Sequence, residues 1–470
     1  MIVMKFGGTS TQDAAAMTNV ARIVGERLAS RPVVVISAIA GATNALEKIG
    51  ALASQQKRNE ADQVIRELLG RHETIVDTLI RNDVRRGELH AHLKDAAREL
   101  GDLVHGVSIL RELTPRTLDA FYAFGELLSS RLVAAVMQEQ GLDAQWLDTA
   151  DFMVTDEQHN RALPIMELVE TRLRGITAPL VSDGKVAVTQ GYIGITQSGR
   201  RTTMGRESSD YSAAVIGAAL GADDIQIWTD VDGILSADPR VVASPLKVTE
   251  LTFDEAYELS YFGAKVLHPN TMLPAIEKNI PIHIYNSRHP ERSGTKVVAG
   301  RPDQEAIIKS IAYKHDAVLL TARPAKRYNQ FVFWEHLFNI LTKFGAAPGM
   351  IVTSEFSIGV VLDARKDMSS IVQELHVLGT IDLLEKKALL SVVGSNIKKC
   401  PEVVTRLMKA VGAIAVHAVS FGASRSNVSI LIDDDEVEDA VRRVHEEFFG
   451  SRVQPGMFES APLSAGSLAR

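Results

Sequence analysis

Short runs of β-branched residues alternate with helical stretches over about the first 295 residues of the chain. This alternation is typical of a mainly parallel β-sheet covered by helices on both faces. Val33 to Ile36, Val186 to Thr189 and Ile225 to Thr229 are predicted to be buried central strands, because each is a short and largely apolar run. Between about residues 44 and 140 the pattern changes to long, charged amphipathic helices. We therefore expect an α/β domain over residues 1–295 with a helical insert that packs as a lid or a side layer.

A repeated pattern follows a stretch rich in Gly, Ser, Arg and Pro at residues 292–302. Residues 310–385 are predicted to form a strand, a helix, two strands and a helix, and residues 386–450 repeat that order. Two copies of similar length predict paired small α/β modules. Residues 451–470 are small and polar and contain Pro and Gly, so we expect a flexible tail there.

Composition narrows the class of ligand and the compartment. The chain has 470 residues, of which 46% are hydrophobic, and its formal net charge is -7, so neither nucleic acid nor an anionic membrane surface is an expected partner. No apolar run reaches the roughly 18 to 20 residues that would span a bilayer. Cys400 is the single cysteine, which excludes an intramolecular disulfide and fits a reducing compartment. We expect a cytoplasmic protein that binds small molecules.

The clearest candidate for phosphate binding is the segment from Lys5 to Ser10, which follows a short β-run and precedes a helical segment. Its adjacent glycines, Gly7 and Gly8, allow the backbone amides to approach phosphate oxygens, and the next helix adds a partial positive charge at its N-terminus. Lys5 would place its ammonium on the transferring phosphoryl group. The glycines alone also fit an ordinary turn after a strand, and the segment lacks the G-x-x-x-x-G-K pattern of a Walker A loop.

The whole hexapeptide K-F-G-G-T-S resembles the signature of the aspartate kinases, a group within the amino acid kinase family. Further blocks resemble that family in the same order, at residues 37–44, 124–130, 204–210, 229–240 and 262–269. The resemblance implies a three-layer α/β amino acid kinase fold with a mainly parallel central sheet. The C-terminal repeats resemble ACT domains, small modules of βαββαβ type that pair side by side and bind amino acids at their interface.

The activity implied by the resemblance is transfer of phosphate from ATP to the side-chain carboxylate of L-aspartate. The product would be 4-phospho-L-aspartate, the first intermediate of lysine, threonine and methionine biosynthesis, and Mg²⁺ would be carried by ATP without assigned protein ligands. Aspartate has two carboxylates and one ammonium, so a selective site needs a fixed cation and a fixed anion. Its attacking carboxylate is already ionised at neutral pH, because the pKa of an unperturbed Asp side chain is about 3.9. No general base is therefore required.

The resemblance also implies residue roles. Lys5 and Asp210 are the expected catalytic residues, with Asp210 orienting Lys5, although Asp210 would also serve as an N-cap of the following helix. Arg206 would bind the α-carboxylate and Glu126 the ammonium, although a glutamate in an amphipathic helix is by default exposed. The full substrate-binding set comprises Ser37, Thr43, Glu126, Arg206 and Ser209. The nucleotide-binding set comprises Lys5, Gly7, Gly8, Thr9, Ser10, Thr229, Asp230, Leu235, Arg240 and Lys265.

The chain departs from the family pattern at several positions. Glu207 and Ser208 stand where the family usually has two glycines, and Leu235 stands where a tyrosine is common. We expect catalysis to survive these changes. In the repeats, Ala347-Pro348-Gly349 stands where an aspartate usually holds an effector ammonium.

The resemblance to ACT domains implies feedback regulation through effector residues Thr353, Ser354, Glu355 and Asn427. Lysine is the leading candidate effector, and threonine is the second candidate. The chain is also expected to assemble into a homodimer or homotetramer through the ACT modules. An alternative is that these modules only dimerise the enzyme and sense nothing.

Two other functions stay open at this point. One is a different amino acid kinase, acting on glutamate, acetylglutamate, carbamate or a nucleotide. The other is a catalytically weak amino acid sensor that keeps the fold and the ACT pair, which Glu207, Ser208 and Leu235 would favour. Lys5, Asp210 and Lys265 favour a working kinase.

Overall fold

The computed structural model describes residues 1–205, 208–262, 269–300, 307–325, 329–450 and 456–460. The chain divides into two compact units. The N-terminal unit comprises Met1–Gly233 and Leu267–Ala299, and the C-terminal unit comprises Ile234–Val266 and Gly300–Arg470.

The strands, in chain order, are β1 Ile2–Phe6, β2 Pro32–Ile36, β3 Ala144–Trp146, β4 Val154–Thr155, β5 Val186–Gln190, β6 Ile193–Thr196, β7 Arg201–Thr203, β8 Asp224–Thr229, β9 Leu246–Val248, β10 Glu250–Thr252, β11 Ile282–Asn286, β12 Thr295–Val298, β13 Ile307–Pro324, β14 Met350–Thr353, β15 Ile358–Asp363, β16 Gly379–Ser395, β17 Ala418–Phe421, β18 Asn427–Asp433 and β19 Phe458–Ser460. The α-helices are α1 Ala14–Gly25, α2 Ala42–Ser54, α3 Arg58–Leu79, α4 Asp83–Leu110, α5 Pro115–Glu139, α6 Met166–Ser182, α7 Ser209–Leu220, α8 Phe253–Tyr261, α9 Leu273–Glu277, α10 Gln330–Lys343, α11 Met368–Leu375, α12 Glu402–Val411 and α13 Val437–Phe449.

The main sheet of the N-terminal unit runs in the order β12, β11, β8, β1, β2, β5, β3. All of these pairings are parallel except β11 with β12. The three predicted central strands are confirmed, and β1 lies between two of them, with Lys5 in register with Val35 and Ile227. Because parallel strands end at the same edge of a sheet, the residues that follow β1, β2 and β8 are neighbours.

Helices α2 to α5 occupy the residues of the predicted helical insert. Helix α5 packs on β2 and β5 and is buried along most of its length. Among the described residues, α5 is the one helix long and apolar enough to cross a membrane by length and composition, and 78% of its apolar window is buried inside the protein. A helix that is apolar around most of its circumference is expected in such a core position.

In the C-terminal unit, the repeats build a six-stranded antiparallel sheet in the order β14, β15, β13, β16, β18, β17. The long strands β13 and β16 pair along their length with shifts in register. Leu320 and Ala322, late in β13, belong to a core with α10, β15 and α11, whereas Ile311, early in β13, belongs to a core with α12, β18 and α13. One strand therefore serves both repeats, and the observed order of elements matches the predicted one.

Residues 234–266, which we expected to belong to the catalytic domain, are part of the C-terminal unit. The reason lies in contacts between distant segments: the buried Lys309 donates through Nζ to the Glu250 carbonyl at 2.9 Å, and Ser236 Oγ bonds His445 Nε2 at 2.9 Å. Strand β19 pairs antiparallel with β9, so the expectation of a flexible tail is wrong for Phe458–Ser460. The remaining tail residues lie outside the described ranges.

Candidate active site

A glycine turn closes the carboxyl end of β1. The Gly7 amide donates to the Trp228 carbonyl at 3.1 Å, and the Ala40 amide donates to the Gly8 carbonyl at 3.1 Å. A Cβ placed on Gly8 would lie 2.8 Å from the Ala38 carbonyl oxygen, so only glycine fits here without movement of the backbone. The turn is thus held between the end of β8 and the loop that follows β2.

Lys5 and Asp210 form an ion pair beside this turn. The distance between Lys5 Nζ and Asp210 Oδ1 is 2.6 Å, and their side chains are only 11% and 16% exposed. Asp210 lies in the first turn of α7, whose N-cap is Ser208, so the alternative interpretation of Asp210 as the N-cap is wrong. The largely buried Lys5 ammonium is therefore held at the end of the central strand β1 by a carboxylate from the first turn of α7.

Glu126 is buried in α5, with 3% of its surface exposed, so the default expectation of an exposed glutamate is wrong. Its Oε1 accepts a hydrogen bond from the Ala38 amide at 3.0 Å. Its Oε2 is buried and has no hydrogen-bond partner within the part of the chain that the structure describes. Burial raises the pKa of Glu126 to about 8, against the opposing effects of the amide bond and the charge of Lys5. The site therefore contains a buried carboxyl group whose ionised form a bound cation would stabilise.

Three other predicted substrate residues lie in the loop after β2, in the first turn of α2 and at the start of α7. Ser37 follows β2 directly and precedes Ala38, and its carbonyl accepts from Ser129 Oγ at 2.8 Å. Thr43 lies in the first turn of α2, which begins after Gly41 in a left-handed conformation with φ of 80°. Ser209 begins α7 and packs against Gly191, where an added Cβ would approach the Ser209 Cβ to 2.7 Å. The loop after β2 and the start of α7 thus converge on the end of β1.

The end of β8 carries the described part of the predicted nucleotide segment. The Thr229 carbonyl accepts from the Ser287 amide at 2.7 Å and from its hydroxyl at 3.0 Å, whereas Asp230 is exposed. Ser10 is buried, and its hydroxyl donates to Ser287 Oγ at 2.8 Å, so this hydroxyl supports the turn; Thr9 beside it is partly exposed. Sequence reasoning missed Ser287, although its position directly after strand β11 was a signal for it.

Leu235 and Arg240 belong to the C-terminal unit. The Leu235 carbonyl accepts from Ser310 Oγ at 2.7 Å. Arg240 is largely exposed, and its guanidinium bonds Asp238 through contacts of 2.6 to 3.1 Å. Arg206 and Lys265 lie outside the described residues.

The predicted effector residues also lie in the C-terminal unit. Thr353, Ser354 and Glu355 share the hairpin between β14 and β15, where Ser354 Oγ and Ser357 Oγ are 2.8 Å apart and Glu355 is exposed. Asn427 begins β18, and its amide donates to Glu258 Oε2 at 2.5 Å. Its amide group is thus already bound by a carboxylate of α8.

Comparison with known proteins connects this geometry to a family. The sequence profile of the amino acid kinase family matches residues 1–286, and an ACT-domain profile matches residues 390–448. Aspartokinase 2, chloroplastic, from Arabidopsis thaliana is 34% identical over 95% of this chain and 84% of its own length. The structure of E. coli aspartokinase III in complex with aspartate and ADP (R-state) superposes with a TM-score of 0.80 at 32% identity, covering 96% of this chain and 100% of that one. The same protein in complex with lysine and aspartate (T-state) has a TM-score of 0.80 at 31% identity, covering 96% and 99%. This chain belongs to the amino acid kinase family, and within it to the aspartokinases.

Proposed function

We propose that this protein is an aspartate kinase, which transfers the γ-phosphoryl group of ATP to the side-chain carboxylate of L-aspartate. The observation that carries the proposal is the buried Oε2 of Glu126, which has no hydrogen-bond partner among the described residues and lies close to the ion pair of Lys5 and Asp210. An amino acid offers the ammonium that this oxygen lacks, and a phosphoryl group offers the anion that Lys5 attracts. Aspartate and ADP, which the E. coli relative binds, are the ligands with that chemistry.

In this proposal the substrate is held by the two charged groups on its α-carbon. Its ammonium donates to Glu126 Oε2, and Arg206 binds its α-carboxylate. Ser37, Thr43 and Ser209 supply donors around the bound amino acid. The Glu126 carboxylate must be ionised to hold the ammonium, and a bound cation would favour that ionised form.

Phosphoryl transfer then needs positioning and charge neutralisation more than proton transfer. A β-carboxylate oxygen of aspartate forms the new bond to the γ-phosphorus, while the bond from that phosphorus to the bridging oxygen breaks and its electron pair leaves on ADP. Lys5 neutralises the transferring group, and Asp210 keeps the Lys5 ammonium in place. The Gly8 amide and the N-terminus of α7 add partial positive charge, whereas the Gly7 amide is already bound to the Trp228 carbonyl.

Magnesium fits this site as a companion of the nucleotide. Among the described residues there is no group of three or more His, Cys, Asp or Glu side chains that could hold a metal ion. The Asp210 carboxylate beside Lys5 is a suitable oxygen donor of the kind that Mg²⁺ accepts along with phosphates and water. The ion supplies charge neutralisation on the phosphates when it is bound.

The product, 4-phospho-L-aspartate, would enter lysine, threonine and methionine biosynthesis in a reducing compartment such as the cytoplasm. Lysine is the proposed effector, because the E. coli relative was solved with lysine bound and this chain has the ACT repeat; threonine is the next candidate. The proposed effector residues are Thr353, Ser354, Glu355 and Asn427, and the proposed assembly is a homodimer or homotetramer through the ACT modules.

A substrate panel tests the function directly. Purified protein with Mg-ATP would be offered aspartate, glutamate, acetylglutamate or carbamate, with ADP release measured by a coupled assay and acyl phosphate trapped by hydroxylamine. We expect aspartyl hydroxamate with aspartate and little product with the others. Preferential use of another acceptor would indicate a different amino acid kinase, and no product with any acceptor would favour the sensor. Initial rates with added lysine or threonine would test feedback in the same assay.

A further inference from the structure

A second carboxylate lies on the same helix as Glu126. Asp119 lies about two helical turns earlier on α5, so both side chains leave the same face of that helix. Asp119 is completely buried, with 0% of its surface exposed. Burying a carboxylate without partners is costly, so its environment should reveal what it holds.

Both oxygens of Asp119 are occupied by the protein itself. Oδ2 lies 2.6 Å from His159 Nδ1, and Oδ1 accepts from the Thr203 hydroxyl at 2.5 Å. The Asn160 amide donates to the two oxygens at 3.1 and 3.2 Å, from a backbone in the left-handed region with φ of 65°. Asp119 therefore ties α5 to the loop at residues 159–160 and to the last residue of β7.

The segments that Asp119 holds lead directly into the proposed aspartate site. Thr203 ends β7, and Met204 and Gly205 follow it before Arg206. The Met204 amide donates to the Tyr192 carbonyl at 3.0 Å, and Gly205 runs so close to the Asn160 carbonyl that an added Cβ would lie 3.4 Å from it. The backbone that precedes Arg206 is thus fixed on both sides.

Tyr192 connects this network to Glu126. Its side chain is hydrogen-bonded to that of Thr203, and it lies close enough to Glu126 and Asp119 for their charges to act on it. Burial raises the pKa of the Tyr192 phenol, which keeps it neutral. One carboxylate on α5 is thus saturated by protein donors, whereas the other keeps an oxygen without a partner in the described ranges.

We infer that Asp119 is a positioning residue of the aspartate site, which fixes Thr203 to Gly205, the residues that precede Arg206 in the sequence, relative to Glu126. The inference rests on the proposed function and assigns its effect to amino acid binding rather than to nucleotide binding or phosphoryl transfer. His159 is the orienting partner of Asp119, because its ring contacts the oxygen that Thr203 does not use. Loss of the hydrogen bonds of Asp119 would make the position of Thr203 to Gly205 less well defined and would leave the turn at Lys5 to Gly8 in place.

Neighbouring threonines on β7 provide a matched experiment. Thr203 and Thr202 are both fully buried, but Thr203 bonds Asp119, whereas Thr202 Oγ1 lies 2.7 Å from Thr155 Oγ1. Thr203→Val and Thr202→Val therefore remove one buried hydroxyl each from the same strand. For Thr203→Val we expect the KM for aspartate to rise roughly fivefold or more, with kcat and the KM for ATP within about twofold of wild type. For Thr202→Val we expect all three constants to stay within about twofold, with a similar loss in Tm. Equal kinetic effects of the two variants would overturn the inference.

Substitution of Asp119 itself gives an independent test. Asp119→Asn keeps an acceptor for Thr203 and Asn160, and its amide can donate to His159 in the other tautomer, so we expect it to bind aspartate nearly as wild type does. Asp119→Ala should raise the KM for aspartate about tenfold or more, and Asp148→Ala is its control, because Asp148 pairs with Arg201 at the opposite end of β7. An Asp119→Ala variant that folds and keeps wild-type aspartate KM would contradict the inference. If wild-type protein itself makes no aspartyl phosphate, the proposed function fails instead, so the two failures are distinguishable.

Discussion

Replacing Glu126 with Gln should make the protein more stable at alkaline pH while removing its use of aspartate. The pKa of Glu126 rises from 4.5 to about 8 in the folded protein, because the carboxylate is buried. The folded state therefore holds this proton more tightly than the unfolded chain, and the resulting stability is lost as pH rises from about 4.5 through about 8. The folded and unfolded pKa values differ by about 3.5, and each pKa unit corresponds to about 1.4 kcal/mol. Above pH 8, ionisation of Glu126 therefore lowers the free energy of unfolding by roughly 5 kcal/mol. Gln is neutral at every pH and keeps the acceptor for the Ala38 amide.

Denaturant unfolding of wild type and Glu126→Gln at pH 5.5, 7 and 8.5 measures this effect. We expect the variant to be more stable than wild type by only about 1.4 kcal/mol at pH 5.5 and by roughly 4 to 5 kcal/mol at pH 8.5. Added aspartate should stabilise wild type at pH 8.5 and leave the variant unchanged, because only the carboxylate can pair with the ammonium. The control is Glu139→Gln, because Glu139 lies on the same helix but forms an ion pair with Arg85. This variant should not become more stable than wild type as pH rises. A variant less stable than wild type at pH 8.5 would refute the reasoning.

The remaining predictions concern the turn at the end of β1. Lys5→Ala should lower kcat on the order of a hundredfold or more in steady-state ADP release, and near-normal turnover would remove Lys5 from the mechanism. Gly8→Ala should lower kcat/KM for ATP by about tenfold or more, because its methyl group would meet the Ala38 carbonyl at 2.8 Å. Gly101→Ala, in an open position of α4, should instead keep full activity and gain about 0.5 to 1 kcal/mol in unfolding experiments. Ser10→Ala should cost about 1 to 3 kcal/mol of stability and change the KM for ATP less than threefold, whereas a large rise in KM would show that its hydroxyl binds nucleotide.

The central strands and the order of the C-terminal repeat could be predicted because both depend on local hydrophobic patterns. Val33 to Ile36 is buried on both faces of the sheet, and such a strand appears in sequence as an uninterrupted apolar run. The membership of residues 234–266 in the C-terminal unit could not be predicted in that way. It depends on pairings such as Lys309 with the Glu250 carbonyl and β19 with β9, which join segments far apart in the chain.

The site residues likewise differ in whether the sequence or only tertiary contacts could identify them. Resemblance led to Lys5 and Asp210, and the structure brings them to 2.6 Å from each other. Asp119 and Ser287 were missed, since a single Asp or Ser in a helix or loop has many ordinary roles and only tertiary contacts distinguish them. Whether a glutamate such as Glu126 is buried depends on what packs over its helix, which the amphipathic pattern of α5 does not specify.

A crystal structure of this protein with aspartate and a non-hydrolysable ATP analogue tests the central claim most directly. We predict that the aspartate ammonium lies within hydrogen-bond distance of Glu126 Oε2, with its β-carboxylate facing the γ-phosphate and Lys5 Nζ on that phosphate. An analogue bound away from the turn at Gly7 and Gly8, or an ammonium bound elsewhere with Glu126 Oε2 still lacking a partner, would contradict the account.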